Sequence, residues 1–268
     1  MTAPRPVLLA ALAMAAASLL AQATAQGLLG GDKDDAQPIE IEARDGIEWL
    51  RDAKQYIARG DAVAKRGSFE VYADTLTAHY RDDSGDNGQK IFRLDADGNV
   101  VVQSNGDMAF GDKAVYHVDD KIAVLVGQAL RFETEEAIIT AKESLEFWEL
   151  KELAVARGSA VVVSQDRRLK ADILTAYILP DSKGRKSVQR IDAIGNVHVS
   201  TDNEIVRGQE GVYDVAQSLA TVCGNVRITR GENQLNGECA EVNMETGRSR
   251  LLSGDKDQRL KALIIQTE

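Results

Sequence analysis

The run Asp95-Ala96-Asp97-Gly98-Asn99 has the residue types to hold a hard cation, because a calcium loop places carboxylates at alternate positions ahead of a glycine. The rest of that loop is missing. The sixth position is Val100 and the twelfth is Gly106, where the motif requires Gly and Glu, and a second copy of the stretch puts Ile194 in place of Asp97. These residues are read as turn formers ahead of a strand. His79, His117 and His198 are isolated, with no second ligand at metal spacing, and there is no nucleophile elbow, phosphate loop or dinucleotide fingerprint. The expectation is a protein that is not an enzyme and needs neither cofactor nor metal.

What positions that run is a repeat. Arg93-Leu94-Asp95-Ala96-Asp97-Gly98-Asn99-Val100-Val101-Val102 returns as Arg190-Ile191-Asp192-Ala193-Ile194-Gly195-Asn196-Val197-His198-Val199, with seven of ten positions identical. In each copy an alternating run follows the glycine, so Val100 and Val102, or Val197 and Val199, share one face of a strand. Gly60, Gly98, Gly158, Gly195 and Gly224 make five such starts, and thirteen residues after each stands a small one: Ala73, Gly111, Ala171, Gly208 and Gly237. A sixth unit begins near Gly127, where the apolar pair Leu130 and Phe132 and the small Ala141 are each displaced by one residue. A bulge at Gly127-Gln128 absorbs that shift. The starts lie 38, 29, 31, 37 and 29 residues apart, the long intervals holding insertions at Asp82 to Gly88 and Pro180 to Lys186. The two halves are therefore a duplication with an offset of 97 to 98 residues.

Each unit has room for three short strands: one after the start glycine, one across the small residue and one leading back. Val212-Tyr213-Asp214-Val215, a polar turn at Ala216-Gln217-Ser218 and Leu219-Ala220-Thr221-Val222 show the last two. The Glu-rich spacing from Ala137 to Leu153 also fits a helix, but the repeat register runs through it and favours strand. The predicted class is all-β, with antiparallel strands forming one continuous body over 38–268. Val100, Val102, Leu130, Phe132, Val197 and Val199, joined at the same parity by Val226 and Ile228, stack into a continuous apolar interior. Periodicity alone does not separate a packed core from an open groove. Cys223 and Cys239 are equally far from Gly231, the turn of a hairpin that places them opposite one another. A disulfide and a pair of reduced core cysteines both fit, and either role is structural.

Met1 to Ala25 carries Arg5, an apolar run from Val7 to Leu20 and small-x-small cleavage sites in Ala21-Gln22-Ala23-Thr24-Ala25, which together read as a secretory signal peptide. The apolar run is shorter than the roughly 20 residues of a spanning helix. Residues 26–37 read as a flexible leader, and no later segment is apolar enough to span a bilayer. The chain has 42 acidic and 32 basic residues, for a net charge of −10, and loss of the leader removes only Arg5. That balance argues against nucleic acid as a partner, since such binding rests on neutralising phosphates. The clusters Arg167-Arg168-Lys170 and Lys183-Arg185-Lys186 are read as solvated turn faces.

Several stretches in order and spacing carry a resemblance: Gln37-Pro38-Ile39-Glu40-Ile41-Glu42-Ala43, Ala58-Arg59-Gly60-Asp61-Ala62, Ala73-Asp74, the Gly-Asn-Val starts and Asn243-Met244-Glu245-Thr246-Gly247-Arg248. Together, over Pro38 to Ile265, they resemble the OstA-like, LptA-type periplasmic proteins of lipopolysaccharide transport. The resemblance implies an elongated, semi-closed β-jellyroll of stacked rungs that holds lipid A acyl chains inside. It also implies head-to-tail self-association and pairing with related OstA-like domains of inner- and outer-membrane transport proteins. The lipid-binding residues would be the eight inward positions. The assembly edges would be Ile39 and Ile41 at one end and Leu260, Ala262 and Ile264 at the other. The length, the two insertions and the cysteine pair depart from the family pattern. Two other classes share the exported, repetitive character: a structural adaptor with a filled core, and a β-helical polysaccharide-acting enzyme, which needs carboxylates converging on one cleft.

Overall fold

Alternating apolar and polar residues, interrupted mainly by Gly, Asn and Asp, favour extended chain over helix, and strands account for nearly all of the observed structure. The computed structural model describes residues 39–83, 88–165, 167–180, 186–202, 204–243, 246, 249–253 and 261–263. The expected signal peptide, the leader and the tips of both insertions lie outside the described residues. No helix among the described residues is long and apolar enough to cross a membrane. The chain divides into two compact units, Ala25–Gly158 and Ser159–Glu268.

The first unit contains β1 (Glu40–Glu42), β2 (Gly46–Leu50), β3 (Gln55–Arg66), β4 (Phe69–Asp83), β5 (Gly88–Ser104), β6 (Asp107–His117), β7 (Ile122–Val126), β8 (Leu130–Glu133), β9 (Ile138–Ala141) and β10 (Ser144–Trp148). A single 3-10 turn follows at Glu149–Lys151, and β11 (Leu153–Ser164) runs through the unit boundary. The second unit continues with β12 (Arg167–Pro180), β13 (Lys186–Ser200), β14 (Ile205–Asp214), β15 (Leu219–Arg230), β16 (Asn233–Asn243), β17 (Ser249–Leu252) and β18 (Lys261–Leu263). The registered pairings among the described residues are antiparallel, and β3, β4, β5 and β6 succeed one another as long hairpins, as do β12 to β16. Long strands carry pairs of short ones: β3 carries β1 and β2, β6 carries β7 and β8, and β16 carries β17 and β18. The expected all-β, antiparallel, repeat-built class is what is observed.

The start glycines differ from the expectation: they are kinks in the middle of long strands, not turns ahead of short ones. Gly98 and Asn99 have φ of +80° and +49°, and Gly195 and Asn196 repeat this at +78° and +50°. The same sign pair occurs at Gly60-Asp61, Gly158-Ser159 and Gly224-Asn225. The ladder register shifts between Asp97 and Val100, and again between Ile194 and Val197, so the two left-handed residues form a β-bulge. Left-handed backbone costs about 1–2 kcal/mol for a residue with a Cβ, which selects glycine first and a short polar side chain second. Packing adds a second constraint. A Cβ on Gly98 would lie 2.1 Å from Asp74 Oδ2, and one on Gly195 would lie 2.3 Å from Asp172 Oδ2. Those carboxylates instead accept hydrogen bonds from the next residue, Asn99 Nδ2 to Asp74 at 3.0 Å and Asn196 Nδ2 to Asp172 at 2.8 Å.

The small residue thirteen positions on is the cross-strand partner of the first inward side chain, as in Val100 opposite Gly111, Val197 opposite Gly208 and Val226 opposite Gly237. Close approach explains its size, since a Cβ on Gly111 would lie 2.7 Å from Leu125 Cγ. Beyond the small residue the unbulged strand turns two consecutive polar residues outward, Asp112-Lys113 in β6 and Gln209-Glu210 in β14, before alternation resumes. At Gly127 the chain leaves β7 at Val126 and re-enters as β8 at Leu130, so a break in the strand replaces the expected bulge. The displaced register survives, with Leu130 opposite Ala141.

The Glu-rich segment from Ala137 to Leu153 is mainly strand, as the repeat register favours, with the 3-10 turn at Glu149–Lys151 as its one helical piece. Its glutamates do structural work on one side of β10. Glu146 accepts from Arg157 Nε at 2.7 Å, Ser144 Oγ at 2.8 Å and Trp148 Nε1 at 3.0 Å. Burial pushes its carboxyl up, but the hydrogen bonds from Arg157, Ser144 and Trp148 outweigh this and hold it below the ordinary carboxylate range.

Two outcomes follow from these geometries. Gly195→Val should destabilise the protein by about 2–3 kcal/mol, from left-handed backbone strain and loss of the Asn196–Asp172 bond, read as a lower melting temperature. Glu146→Gln should cost about 1 kcal/mol at neutral pH, since Arg157 remains 38% exposed and solvent screens the pair. Because the folded carboxyl is depressed, its contribution is present above the unfolded value of about 4.3 and is lost as pH falls through the folded one. The melting-temperature gap between wild type and E146Q should therefore close in acid. A gap that is constant with pH would assign the effect to packing instead.

Candidate functional site

The side chains with functional potential are the inward faces of the strands, one set in each unit. In Ala25–Gly158, direct pairing aligns Ile41, Ala64, Val71, Val102, Ala109, Phe132 and Ile139 across seven strands. On the other side of the kinks, Ile47, Ala58, Leu76, Ala96, Ala114, Leu125, Leu145 and Ala156 are aligned the same way. A parallel row runs from Trp49 through Tyr56, Ala78, Leu94, Tyr116, Ala123 and Phe147 to Ala154. In Ser159–Glu268 the corresponding row is Leu169, Val199, Val206, Ile228 and Leu235. Every member of these rows is apolar or aromatic, because directly opposed residues in a ladder share one face.

The eight expected lining residues all sit on these inward faces. Val100, Leu130, Val197, Val226 and Ile228 are buried, and Val102, Phe132 and Val199, one step further from the kink, are half-buried. Val206, Val226, Ile228 and Ala240 form one packed cluster, with Val199, Val222, Leu235 and Leu251 against it. The structure brings Val100, Val102, Leu130 and Phe132 together in the first unit and Val197, Val199, Val226 and Ile228 in the second. Asn99, Val101 and His198 face outward, Val101 between Tyr72 and Phe110 and His198 between Lys170 and Arg207.

Of the expected edges, Ile39 precedes β1, Ile41 pairs with Ala64 in β1, and Ala262 pairs with Leu235 in β18. Leu260 and Ile264 lie outside the described residues. Sequence reasoning missed β2, although the alternation in Gly46-Ile47-Glu48-Trp49-Leu50 signals a strand. Ile47 and Trp49, the first members of two inward rows, are 52% and 46% exposed. Trp49 is held in place by Tyr56, stacked at 5.6 Å, by a 2.8 Å hydrogen bond from its Nε1 to Tyr80 Oη, and by the Arg51 guanidinium 4.3 Å from its ring centre.

Cys223 and Cys239 are directly opposed on β15 and β16 and joined in a disulfide, next to the kink at Gly224. Titratable groups cluster on the outward faces. His79 Nε2 lies 2.9 Å from Asp95 Oδ2, and Arg93 Nε donates to Asp95 Oδ1 at 2.6 Å, which uses the first carboxylate of the calcium-like run. The second, Asp97, is paired with Lys113. Among the described residues no group of three or more His, Cys, Asp or Glu side chains is arranged to hold a metal ion. Burial raises the carboxyls of Asp107 and Glu204 above their ordinary values, the latter opposed by Arg230.

The family described as LptA/(LptD N-terminal domain) LPS transport protein matches this chain twice, over residues 40–143 and 138–248. No curated protein sequence matches it. Among solved structures it is similar to the crystal structure of LptH from Pseudomonas aeruginosa, which is described as the LptA homologous periplasmic component of the conserved lipopolysaccharide transport device. The identity is 13%, over 87% of this chain and 99% of that one, with a TM-score of 0.22. At that score the likeness carries no structural argument.

Proposed function

We propose, from the premise that this chain belongs to the LptA/(LptD N-terminal domain) family of LPS transport proteins, that it carries lipopolysaccharide through the periplasm by holding acyl chains along its apolar interior. The observation that supports this best is that two inward rows end in exposed apolar residues, Ile47 and Trp49, at the edge strand. A sealed core would be expected to end in polar or covered positions. Removing acyl carbons from water is favourable by about 0.8 kcal/mol per CH₂, so a chain of about a dozen carbons gains roughly 9 kcal/mol. Successive apolar strands of similar composition offer it sites of similar energy, and net movement from inner to outer membrane needs a drive from elsewhere.

A second reading, a filled-core adaptor, is favoured by the near-complete burial of Val100, Leu130 and Val226. Under the carrier reading these side chains next to the kinks form the floor, and lipid lies against the half-buried Val102, Phe132 and Val199. The export signal and family membership agree with a periplasmic location. Assembly is proposed through the edges: β1 and β2 in one unit and β17 and β18 in the other each leave one side unpaired among the described residues. A strand added there, from a second copy or from a related domain of a membrane-bound partner, would give head-to-tail joints.

Photo-crosslinkers at Val102, Phe132 and Val199, and more weakly at Val100, Leu130 and Val197, should capture lipopolysaccharide, whereas those at Asn99, Val101 and His198 should not. Equal capture from the two sets would sink the carrier reading and leave the adaptor. Deleting Arg259 to Glu268 should abolish concentration-dependent association in sedimentation velocity while leaving the melting temperature nearly unchanged. If the full chain stays monomeric and never crosslinks through its edges to itself or to a partner, the bridge is excluded and a soluble shuttle takes its place.

A further inference from the structure

The outward face of the second unit holds an arrangement that the interior does not explain. Strand pairing places Lys170 opposite His198, His198 opposite Arg207, and Arg207 opposite Arg227, in one line across β12, β13, β14 and β15. Arg168, two residues before Lys170, points the same way. Their strand neighbours Leu169, Val197, Val206, Val226 and Ile228 face inward, so the basic side chains stand on the outer surface. Arg168, Arg207 and Arg227 are exposed, and Lys170 and His198 are half-buried.

Directly opposed side chains have Cβ atoms about 5 Å apart, and like charges at that distance destabilise a sheet. The cost is unusual in a chain with 42 acidic and 32 basic residues. Elsewhere in this unit the outward arginines are neutralised, Arg190 by Asp192 at 2.6 Å and Arg250 by Glu241 at 2.8 Å. Among the described residues, no ion pair involves Arg168, Lys170, Arg207 or Arg227. The closest carboxylate along β12, Asp172, is taken up by Asn196 at 2.8 Å, and Glu204 interacts with Arg230. Burial, together with Arg207, Lys170 and Arg168, pushes the His198 imidazole down. The corresponding line in the other unit is Val63, Tyr72, Val101, Phe110 and Arg131, with Arg131 packed over the Phe110 ring at 4.3 Å. The two copies have therefore diverged on this face while keeping the same interior.

We propose that the line Lys170, His198, Arg207 and Arg227 docks the second unit on the phosphate headgroups of an anionic lipid surface. Paired guanidinium forks on Arg207 and Arg227 suit phosphate oxygens, which accept several charge-assisted hydrogen bonds at once. Carboxylates are plentiful in this chain, yet among the described residues none is ion-paired with the line, so an external anion is the occupant with complementary charge. Phosphates of a fluid lipid surface can move into register with a row of cations about 5 Å apart, whereas an acidic peptide must carry that spacing in its own fold. The inference goes beyond acyl-chain carriage and does not depend on it.

The test is co-sedimentation of the full chain with vesicles of phosphatidylcholine alone or of equal parts phosphatidylcholine and phosphatidylglycerol. Wild type should sediment with the anionic vesicles only and be released by salt. Arg207→Gln with Arg227→Gln should weaken binding roughly 30-fold, at about 1 kcal/mol for each cation near such a surface. Arg207→Lys with Arg227→Lys should retain most of it. Arg190→Gln with Arg250→Gln, equal in charge change but away from the line, should bind as wild type does. Equal sedimentation with uncharged vesicles, or equal losses in the two Gln pairs, would overturn the proposal. Release by inorganic phosphate far beyond chloride at matched ionic strength would reassign the line to a free phosphate. Binding to polyglutamate without any vesicle binding would reassign it to an acidic protein. Crosslinking of lipopolysaccharide at Val199 reports the interior separately, and the R207Q/R227Q protein should keep it, so failure of one reading is distinguishable from failure of the other.

Discussion

The pair of left-handed residues at each kink, glycine followed by Asn, Asp or Ser, is the constraint on which the rest of the structure depends. A two-residue periodicity keeps one face apolar only while a strand runs straight. Where it bends, the bulged strand and its partner cover different numbers of residues, and one of them must skip a beat. The bulge fixes where this happens, and the consecutive outward residues Asp112-Lys113 and Gln209-Glu210 are the skipped beat on the partner. Both halves of each long strand can then keep valine, leucine and alanine inside. The Asp74 and Asp172 carboxylates occupy the space a Cβ would need and are held there by Asn99 and Asn196, so local strain, packing and hydrogen bonding all select the same Gly-Asn sequence.

This explains what was legible in the sequence. The glycine starts, the small residue thirteen positions later and the parity of Val100, Val102, Val197 and Val199 are local consequences of the kink and appear as spacing. The cysteines of one hairpin were legible for the same reason, since equal distances from Gly231 imply opposition. The continuity of a strand through its glycine was not legible, because glycine before an Asx residue signals a tight turn as readily as a bulge. Nor was the line from Lys170 to Arg227. Its members lie 28, 9 and 20 residues apart in the chain and become neighbours only through pairing register. Read one segment at a time, Arg168 and Lys170 are an ordinary basic turn.

Inside and outside are under different demands in the two units. Inward rows keep apolar or aromatic character from strand to strand, because each side chain packs against the equivalent one on the next strand. Outward positions meet no such requirement, and there the copies differ: His79, Asp95 and Arg93 form a hydrogen-bonded cluster in the first, and unneutralised cations form a line in the second. The interior is the inherited part of the design and the exterior is where each copy was free to acquire its own chemistry.

The self-contained kink has a further consequence at the level of the gene. Everything that shapes a corner, the glycine, the short polar residue after it and the acid or amide opposite, comes from neighbouring segments of the chain, the glycine from one repeat and the acid or amide from the repeat before it. Unequal recombination between two repeats would therefore delete or duplicate whole strand pairs while leaving every remaining corner intact. Chain length can drift in evolution without a folding penalty at the joins, so the number of strands that share one kind of apolar face is a quantity selection can tune.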